Sequence, residues 1–356
     1  MSIRFTRFSL LFLCIGHLLI SDCFANEAAI VADRNEPRYQ WGRGLTLPAL
    51  DLTIGGYANI SYKHFETEPN AGAIDDLSLF LTWRPHARLR FFSELELEDA
   101  TIVGGNDEEL FFSVERLYVD FLANQQITLR FGKSLTPVGR WNLIHAAPLV
   151  WTTSRPLVTE EVTFPAHTTG LMVKGSFFLD QQQDLDLFVY ADDSSDLDPK
   201  KLSVSFENGF GGRLVYQPVN GLQIGASYLN FKELARFTSK PRQHLFGLDL
   251  FWTAKQFEIQ SEMIYRLAEG AGDEKGLYLQ GVAPLGHHLF AVGRYEYFDR
   301  SGNTTKGLRS VDTSLGIAGF AWRPYGPLVV KAEYRFGSNA QDIAPSGFFT
   351  SIAFFF

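Results

Sequence analysis

The stretch Leu89-Arg90-Phe91-Phe92-Ser93-Glu94-Leu95-Glu96-Leu97-Glu98 has mostly apolar side chains at its odd positions and mostly charged ones at its even positions. This period of two places the apolar side chains on one face of a β-strand and the charged ones on the other. A tilted strand that crosses a bilayer needs about ten residues, which is the length of this stretch. A soluble half-buried sheet gives the same local pattern, so the rest of the chain must decide between the two.

Sixteen segments with strand character follow one another along the chain. They lie near residues 51–64, 75–84, 87–98, 111–122, 126–133, 168–179, 183–192, 208–217, 221–232, 243–253, 256–267, 275–284, 287–298, 310–323, 327–337 and 346–356. Short connections follow the even-numbered segments, and longer, more polar ones usually follow the odd-numbered segments. A membrane barrel has tight turns at one rim and long loops at the other, whereas a soluble four-bladed propeller gives no reason for this alternation. The sequence therefore predicts an all-β fold, a transmembrane antiparallel up-and-down β-barrel of about 16 strands.

Composition excludes several other classes. The 356 residues are 46% hydrophobic and 14% aromatic, with a mean hydropathy of -0.05, which is too polar for a bundle of membrane-spanning helices. The net charge of -8 argues against nucleic acid as a partner. Cys14 and Cys23 are the only cysteines, so no Cys/His cluster suggests a metal, and no cofactor is expected.

The first residues have the pattern of an export signal. Arg4 and Arg7 precede an apolar run from Phe8 to Ile20, and small residues up to Ala25 suit cleavage. The apolar run is short for an uncleaved membrane anchor, which is the alternative. We therefore expect a signal peptide at 1–25, a periplasmic N-terminal extension at 26–50, a barrel at 51–356, and location in the outer membrane.

Three tryptophans lie where an interface girdle is expected. Trp83, Trp252 and Trp322 each stand near the end of an even-numbered strand beside a short turn. Tryptophan is enriched at membrane–water interfaces, so we predict that these side chains are interface anchors. The alternative is that aromatic residues simply favour strands.

The chain ends on Phe348-Phe349-Thr350-Ser351-Ile352-Ala353-Phe354-Phe355-Phe356, whose alternate residues form one apolar face. A soluble protein that exposed this strip would aggregate. A last strand of this kind, ending in Phe, resembles the outer-membrane β-barrel proteins of Gram-negative bacteria. The resemblance implies that Phe356 belongs to an assembly signal, that the barrel assembly machinery is a partner, and that outer-membrane lipids surround the chain.

Within that class the segment Ile127-Thr128-Leu129-Arg130-Phe131-Gly132-Lys133-Ser134-Leu135-Thr136-Pro137-Val138-Gly139-Arg140-Trp141-Asn142 resembles the phosphate-selective porin O and P-like family. In that family a long loop follows this strand, folds into the barrel and narrows the pore. Porins of this size are often trimers, so the resemblance points to a homotrimer, although the sequence leaves the oligomeric state open.

The connection at 134–167 is the longest in the chain, and its tryptophans and prolines make it too apolar for a freely exposed loop. We expect it to fold into the lumen as a constriction loop. The candidate constriction charges are Arg130, Lys133, Arg140, Arg155, Glu160 and Glu161. Each of them could instead be a solvated charge at the rim.

The strand face opposite the apolar strip carries the candidate lumen charges. They include Arg88, Arg90, Glu94, Glu96, Arg213, Glu258, Glu262, Arg294, Lys331 and Arg335. Anion selectivity needs rings of Lys or Arg, and here basic and acidic side chains are nearly balanced. We therefore expect a channel for small hydrophilic solutes or ions rather than a phosphate-specific one.

The sequence leaves two other functions open. A barrel enzyme of the lipase or protease type needs a nucleophile beside a histidine, and no such motif accompanies the histidines. A structural or adhesin barrel with a plugged lumen is harder to exclude. Because sixteen strands leave an aqueous channel, the expected function is a non-enzymatic porin for passive diffusion.

Overall fold

The computed structural model describes residues 36–104, 111–180, 182–193, 205–235, 238–239, 242–268, 272–301, 310–338 and 343–356. The predicted signal peptide lies outside these residues. Sixteen long strands alternate in direction along the described chain. They are β3 (Leu52–Phe65), β4 (Ala71–His86), β5 (Leu89–Gly104), β6 (Phe111–Leu122), β7 (Ile127–Leu135), β8 (His167–Asp180), β9 (Gln183–Asp192), β10 (Ser205–Val219), β11 (Leu222–Ala235), β13 (Gln243–Ala254), β14 (Phe257–Ala268), β15 (Glu274–Gly286), β16 (Leu289–Arg300), β17 (Val311–Tyr325), β18 (Leu328–Ser338) and β19 (Gly347–Phe355).

The sheet closes on itself. Each long strand pairs antiparallel with its neighbours in the chain, and β19 pairs with β3 so that Ile352 lies opposite Ile60. Closure gives every strand a partner on both sides, which a β-protein needs in hydrocarbon because no water is present to bond a free edge. The prediction of an up-and-down barrel with sixteen strands is confirmed.

The two faces of the sheet have opposite chemistry. In β13 the large apolar side chains of Phe246, Leu248, Leu250 and Trp252 are exposed, whereas Asp249 between them is buried. The outer face is therefore apolar and the inner face carries the buried polar groups. An exposed apolar surface of this extent is unfavourable in water and suits a lipid environment.

Several strands extend further than their hydrophobic pattern predicts. β4 begins at Ala71 rather than near residue 75, and β5 continues to Gly104 rather than ending near residue 98. Ala71 lies opposite Gly104, so backbone pairing holds the two strands together beyond the apolar band. Backbone pairing does not require alternating side-chain polarity, so the pattern predicted both strands too short.

In the described ranges, three short strands accompany the barrel. β1 (Arg38–Gln40) and β2 (Gly44–Leu47) form a hairpin whose second strand pairs with the start of β3, and β12 (Thr238–Ser239) pairs with the end of β11. Gly44 has a positive φ, and a Cβ there would lie 2.1 Å from the carbonyl oxygen of Ile54. The region 26–50 thus contains paired strands from residue 38, which its sequence pattern did not predict.

The helices of the described residues are short. They are two 3-10 turns, Pro48–Leu50 and Trp141–Leu143, and one α-helical turn, α1 (Leu157–Glu160). In the part of the chain that the structure describes, no helix has the length and apolar character needed to cross a membrane.

Candidate pore lining and its inner segment

Residues 136–166, here called the inner segment, connect β7 to β8 at the long-loop rim and pack against the polar inner face of the barrel. Wall carboxylates hold the backbone of the inner segment in place. The N–H of Trp141 donates to Glu262 on β14 at 2.6 Å, and the N–H of Leu157 donates to Glu296 on β16 at 2.6 Å. An irregular segment has N–H groups with no ladder partner, so each needs an acceptor from its surroundings.

Two more carboxylates of the wall act in the same way. The N–H of Thr163 donates to Glu274 on β15 at 2.6 Å. Glu333 on β18 accepts from the N–H groups of Thr153 and Ser154 at 2.7 and 2.9 Å. Hydrogen bonds to a charged acceptor are stronger than neutral ones, so these contacts fix the path of the inner segment.

Basic side chains of the wall bind the carbonyl groups of the inner segment. Arg294 donates to the carbonyl oxygen of Ser154 at 3.0 Å, and Arg323 donates to that of Pro148 at 2.8 Å. Lys331 Nζ donates to the carbonyl oxygens of Ala147 and Thr152, at 2.9 and 3.1 Å. Charges of both signs are therefore used to bind one polar backbone, which accounts for the near balance of basic and acidic lumen residues.

An apolar core also joins the inner segment to the wall. Its buried members from the inner segment are Val138, Trp141, Val150, Leu157, Val158, Val162 and Phe164, and those from strands β11, β13 and β14 are Leu229, Phe231, Leu245 and Ile264. Full burial of one large apolar side chain contributes roughly 1.5–3 kcal/mol. The apolar composition of this connection is thus explained by a core inside the barrel.

The wall from β5 to β8 carries a basic cluster instead. Asp120 on β6 accepts from Arg90 at 2.6 Å and from Arg130 at 2.7 Å, and Lys174 Nζ lies 3.8 Å from the same carboxylate. Three positive side chains thus surround Asp120 near the short-turn rim. The side chains of Arg90 and Lys174 are 39% and 23% exposed, so part of this positive charge faces the lumen.

Arg155 and Glu160 are the inner-segment charges that remain open to solvent. The side chain of Arg155 is 50% exposed and its Nη2 lies 3.8 Å from Asp76 on β4. The surrounding protein displaces part of the water around Arg155 and lowers its pKa, but Asp76 and Glu160 outweigh this effect and raise that pKa overall. The same partial loss of water raises the pKa of Glu160, against the opposing effects of Arg155 and Arg335.

The other predicted constriction residues have structural contacts. Arg140 donates to Gln223 at 3.1 Å and its guanidinium lies 3.8 Å from the centre of the Phe251 ring. Burial lowers the pKa of Arg140, while Glu258 opposes that effect. Glu161 accepts from Arg300 at 2.9 Å. Lys133 is buried on β7, and Arg130 belongs to the basic cluster rather than to the inner segment.

The predicted lumen residues face inward with one exception. Arg88 lies in the exposed turn between β4 and β5, outside the strand face that carries the other predicted lumen residues. The prediction extended the strand alternation one residue too far, because β5 begins at Leu89.

The remaining predicted lumen residues have partners on the inner face. Glu94 pairs with Arg116, and Glu96 accepts hydrogen bonds from Tyr57 and Ser78. Glu258 accepts from the indole N–H of Trp151, and Glu262 accepts from the backbone N–H of Trp141. Among the basic residues, Arg213 bonds Asp249 through both terminal nitrogens, and Arg335 bonds the carbonyl oxygen of Pro345.

Sequence reasoning missed Glu274, Arg300 and Arg323, which all bind the inner segment. Glu274 and Arg300 lie on the inward face just outside the predicted strand ends. The signal was present in the alternation Arg294, Glu296, Phe298, Arg300, which continues past residue 298. Within the described residues, no group of three or more His, Cys, Asp or Glu side chains is arranged to hold a metal ion.

The predicted interface and terminal residues lie on the outer face. Trp83, Trp252 and Trp322 are exposed near the short-turn rim. Phe356 continues the pairing of β19 through two backbone hydrogen bonds with Gly56, at 2.9 and 3.1 Å. The C-terminal residue is therefore part of the seam where the barrel closes.

Comparisons with known proteins agree with this architecture. No family model matches the chain. An uncharacterized protein of Aquifex aeolicus (strain VF5) is 23% identical over 335 residues, which cover 80% of this chain and 75% of that protein. The outer-membrane channel DcaP of Acinetobacter baumannii is 9% identical with a TM-score of 0.59, and covers 88% of this chain and 100% of its own.

Two further solved structures show the same likeness. The anion-selective porin of Comamonas acidovorans is 12% identical, with a TM-score of 0.56, and the match covers 86% of this chain and 99% of that porin. This chain has the fold of the outer-membrane porins. The trimer form of OmpT, an outer-membrane protein of Vibrio cholerae, is likewise 12% identical, with a TM-score of 0.58 over 86% of this chain and 99% of OmpT. At these identities the likeness establishes the porin fold and leaves the solute to be argued from the residues.

Proposed function

We propose that this protein is an outer-membrane porin through which small hydrophilic solutes and ions diffuse passively. The observation that carries the proposal is the inner segment, whose backbone is bound to wall carboxylates on β14, β15, β16 and β18 inside a closed polar barrel. Held on one side of the lumen, this segment narrows the path that remains beside the β5–β8 wall. The resulting pore is hydrated because its free lining is charged.

Selectivity in this proposal comes from the width of the path and from the charges that face it. Arg155 and Glu160 stand on the open side of the inner segment, and the cluster of Arg90, Arg130 and Lys174 around Asp120 stands on the free wall. Arg140 and Glu161 are engaged by neighbouring side chains and chiefly fix the shape of the constriction. The basic cluster favours anions modestly over cations.

The narrower resemblance to the phosphate-selective porin O and P-like family rests on residues 127–142. The inner segment lacks the lysine cluster that such a member would show, since its basic residues are Arg140 and Arg155. We therefore propose a weakly selective channel rather than a phosphate-specific one.

The export, assembly and location of the chain are part of the same proposal. The chain is exported by a signal peptide at 1–25, is folded by the barrel assembly machinery through the C-terminal signal at Phe356, and resides in outer-membrane lipid. Trp83, Trp252 and Trp322 anchor the short-turn rim at the membrane interface, because the indole ring suits the headgroup region. A homotrimer is proposed by analogy with the trimer form of OmpT.

Planar-bilayer conductance of the purified full chain tests the function. Discrete current steps, with a reversal potential in a salt gradient that indicates mild anion preference, support the porin. Absence of conductance together with lipid or peptide hydrolysis supports a barrel enzyme instead, and absence of both supports a structural or adhesin barrel.

A further inference from the structure

The short-turn rim has one strongly basic part, formed by the hairpin of β1 and β2 together with the end of β4 and the turn that follows it. Its exposed arginines, here called the basic sector, are Arg38, Arg43, Arg84 and Arg88. The exposed acidic residues of the same part are Glu36 and Asp51. In the remaining described turns of this rim, Lys255 is the exposed lysine or arginine. Positive charge is therefore concentrated at one place on the rim.

Strand pairing brings the members of the basic sector close together. Leu47 of β2 lies opposite Leu52 of β3, and Leu52 lies opposite Trp83 of β4. Neighbouring strands are about 4.8 Å apart, so the β1–β2 hairpin lies about 10 Å from the end of β4. Charges at this spacing act together on one ligand, because the Debye length in physiological salt is about 8 Å.

Arg84 belongs to a Trp-Arg-Pro sequence that occurs twice at this rim, at 83–85 and 322–324. In both copies the strand pairing shifts its register directly after the tryptophan. Arg323 donates to the carbonyl oxygen of Pro148, and its guanidinium lies 4.3 Å from the centre of the Trp151 ring. The guanidinium of Arg84 has no such partner among the described residues, and the same holds for the rest of the basic sector. Its charge is available to a molecule outside the chain.

An apolar strip leads from Arg84 along the outer face of the barrel. Leu77, Leu79 and Trp83 of β4 are 40%, 45% and 44% exposed. In the proposed membrane location, Trp83 lies at the interface, because indole rings collect at the level of the headgroups. Arg84 is the next residue, so its guanidinium lies at headgroup depth, while the leucines face the hydrocarbon.

A phosphate group is the natural partner of guanidinium groups at this depth, because it accepts paired N–H donors and carries the opposite charge. We infer that the basic sector binds the headgroup of an anionic phospholipid, with Arg84 and Arg88 on the phosphate and the β4 strip along an acyl chain. The inference rests on the proposed membrane location and deepens it by naming one lipid class and one part of the rim.

The two halves of this site select the lipid. A zwitterionic phospholipid carries its own positive group beside the phosphate, so its attraction to the basic sector is weaker than that of an anionic lipid. A soluble anionic polymer would satisfy the arginines and leave the apolar strip without a partner. An anionic phospholipid satisfies both.

Native mass spectrometry of the full chain, released from micelles that contain equal amounts of dioleoylphosphatidylglycerol and dioleoylphosphatidylcholine, tests the inference. Wild type should retain phosphatidylglycerol in preference to phosphatidylcholine. In the double variant Arg84→Gln/Arg88→Gln that preference should fall about tenfold, because each arginine near a membrane surface adds attraction for anionic lipid. Arg84→Lys/Arg88→Lys should keep most of it. The matched control is Lys255→Gln/Lys275→Gln, which removes the same amount of charge outside the basic sector.

Equal retention of the two lipids by wild type would overturn the inference. The same loss in the control variant would also overturn it, because the effect would then follow from net charge, as would stronger binding of soluble anionic muropeptides at the same arginines. Planar-bilayer recordings on the same preparation separate this site from the porin function. Conductance without lipid preference overturns the lipid site and leaves the porin, whereas lipid preference without conductance overturns the porin and leaves the lipid site.

Discussion

Glu262 on β14 accepts a 2.6 Å hydrogen bond from the backbone N–H of Trp141, a residue 121 positions earlier in the chain. The same carboxylate also accepts from the phenol of Tyr278 at 2.8 Å. One buried side chain thus joins the inner segment to two strands of the wall. Contacts of this kind hold an irregular segment inside the barrel.

Glu262→Gln should loosen the inner segment without unfolding the barrel. The substitution replaces a charged acceptor by a neutral amide of nearly the same shape, and a hydrogen bond to a charged group contributes about 1.5–3 kcal/mol. We expect faster proteolysis within residues 136–166 and noisier single-channel current. Glu66→Gln is the control, since Glu66 bonds Tyr334 at the long-loop rim. Equal proteolysis rates in both variants would contradict the assignment.

Gly139→Ala should displace the carboxylate of Glu262, because the added methyl group would collide with it. Gly139 has a φ of +62°, and an added Cβ would lie 2.1 Å from Glu262 Oε2. Both the backbone conformation and the contact oppose a side chain there. The thermal midpoint should fall by several degrees, whereas Gly281→Ala, where an added Cβ meets nothing within 4 Å, should change it little. A similar midpoint for the two variants would show that Gly139 is not packed against Glu262.

Lys174→Gln should reduce the preference of the channel for anions. Lys174 contributes one of three positive charges around Asp120 on the free wall, so its loss makes this part of the lumen less positive. The reversal potential in a salt gradient should shift toward cation preference. Lys275→Gln is the control, because Lys275 is 53% exposed on the outer face and pairs with Asp299. The same shift in both variants would indicate a general surface effect rather than a pore charge.

Glu160 should give the selectivity a pH dependence. The protein around Glu160 displaces part of its water and raises its pKa, so its carboxylate takes up a proton at a higher pH than an ordinary glutamate does. Protonation removes a negative charge beside Arg155. The preference of the channel for anions over cations should therefore rise as the pH is lowered through the mildly acidic range. The ion selectivity of Glu160→Gln should not depend on pH in this range, and at neutral pH it should equal the selectivity that wild type has at low pH. A wild-type reversal potential that is constant over this range would refute the placement of Glu160 beside the path.

The sequence predicted the barrel because period two and alternating loop lengths are properties of each strand and its immediate neighbours. It could not predict what the lumen charges contact. Alternation puts Glu262 on the inner face, but its partner Trp141 lies in an irregular segment whose path depends on the whole fold. Glu274 and Arg300 were missed, and Arg88 was counted with a strand that begins only at Leu89, because strand ends are set by backbone pairing and turn geometry.

The central claim is that the inner segment occupies the lumen and sets the width of the pore. Single-channel conductance of wild type and of a variant lacking residues 143–163 tests this claim most directly, with removal of residues 302–309 from the connection between β16 and β17 as a control. We expect the first deletion to enlarge the current steps severalfold and the control deletion to leave them near the wild-type value. Unchanged steps after removal of 143–163 from a barrel that still inserts and conducts would contradict the account.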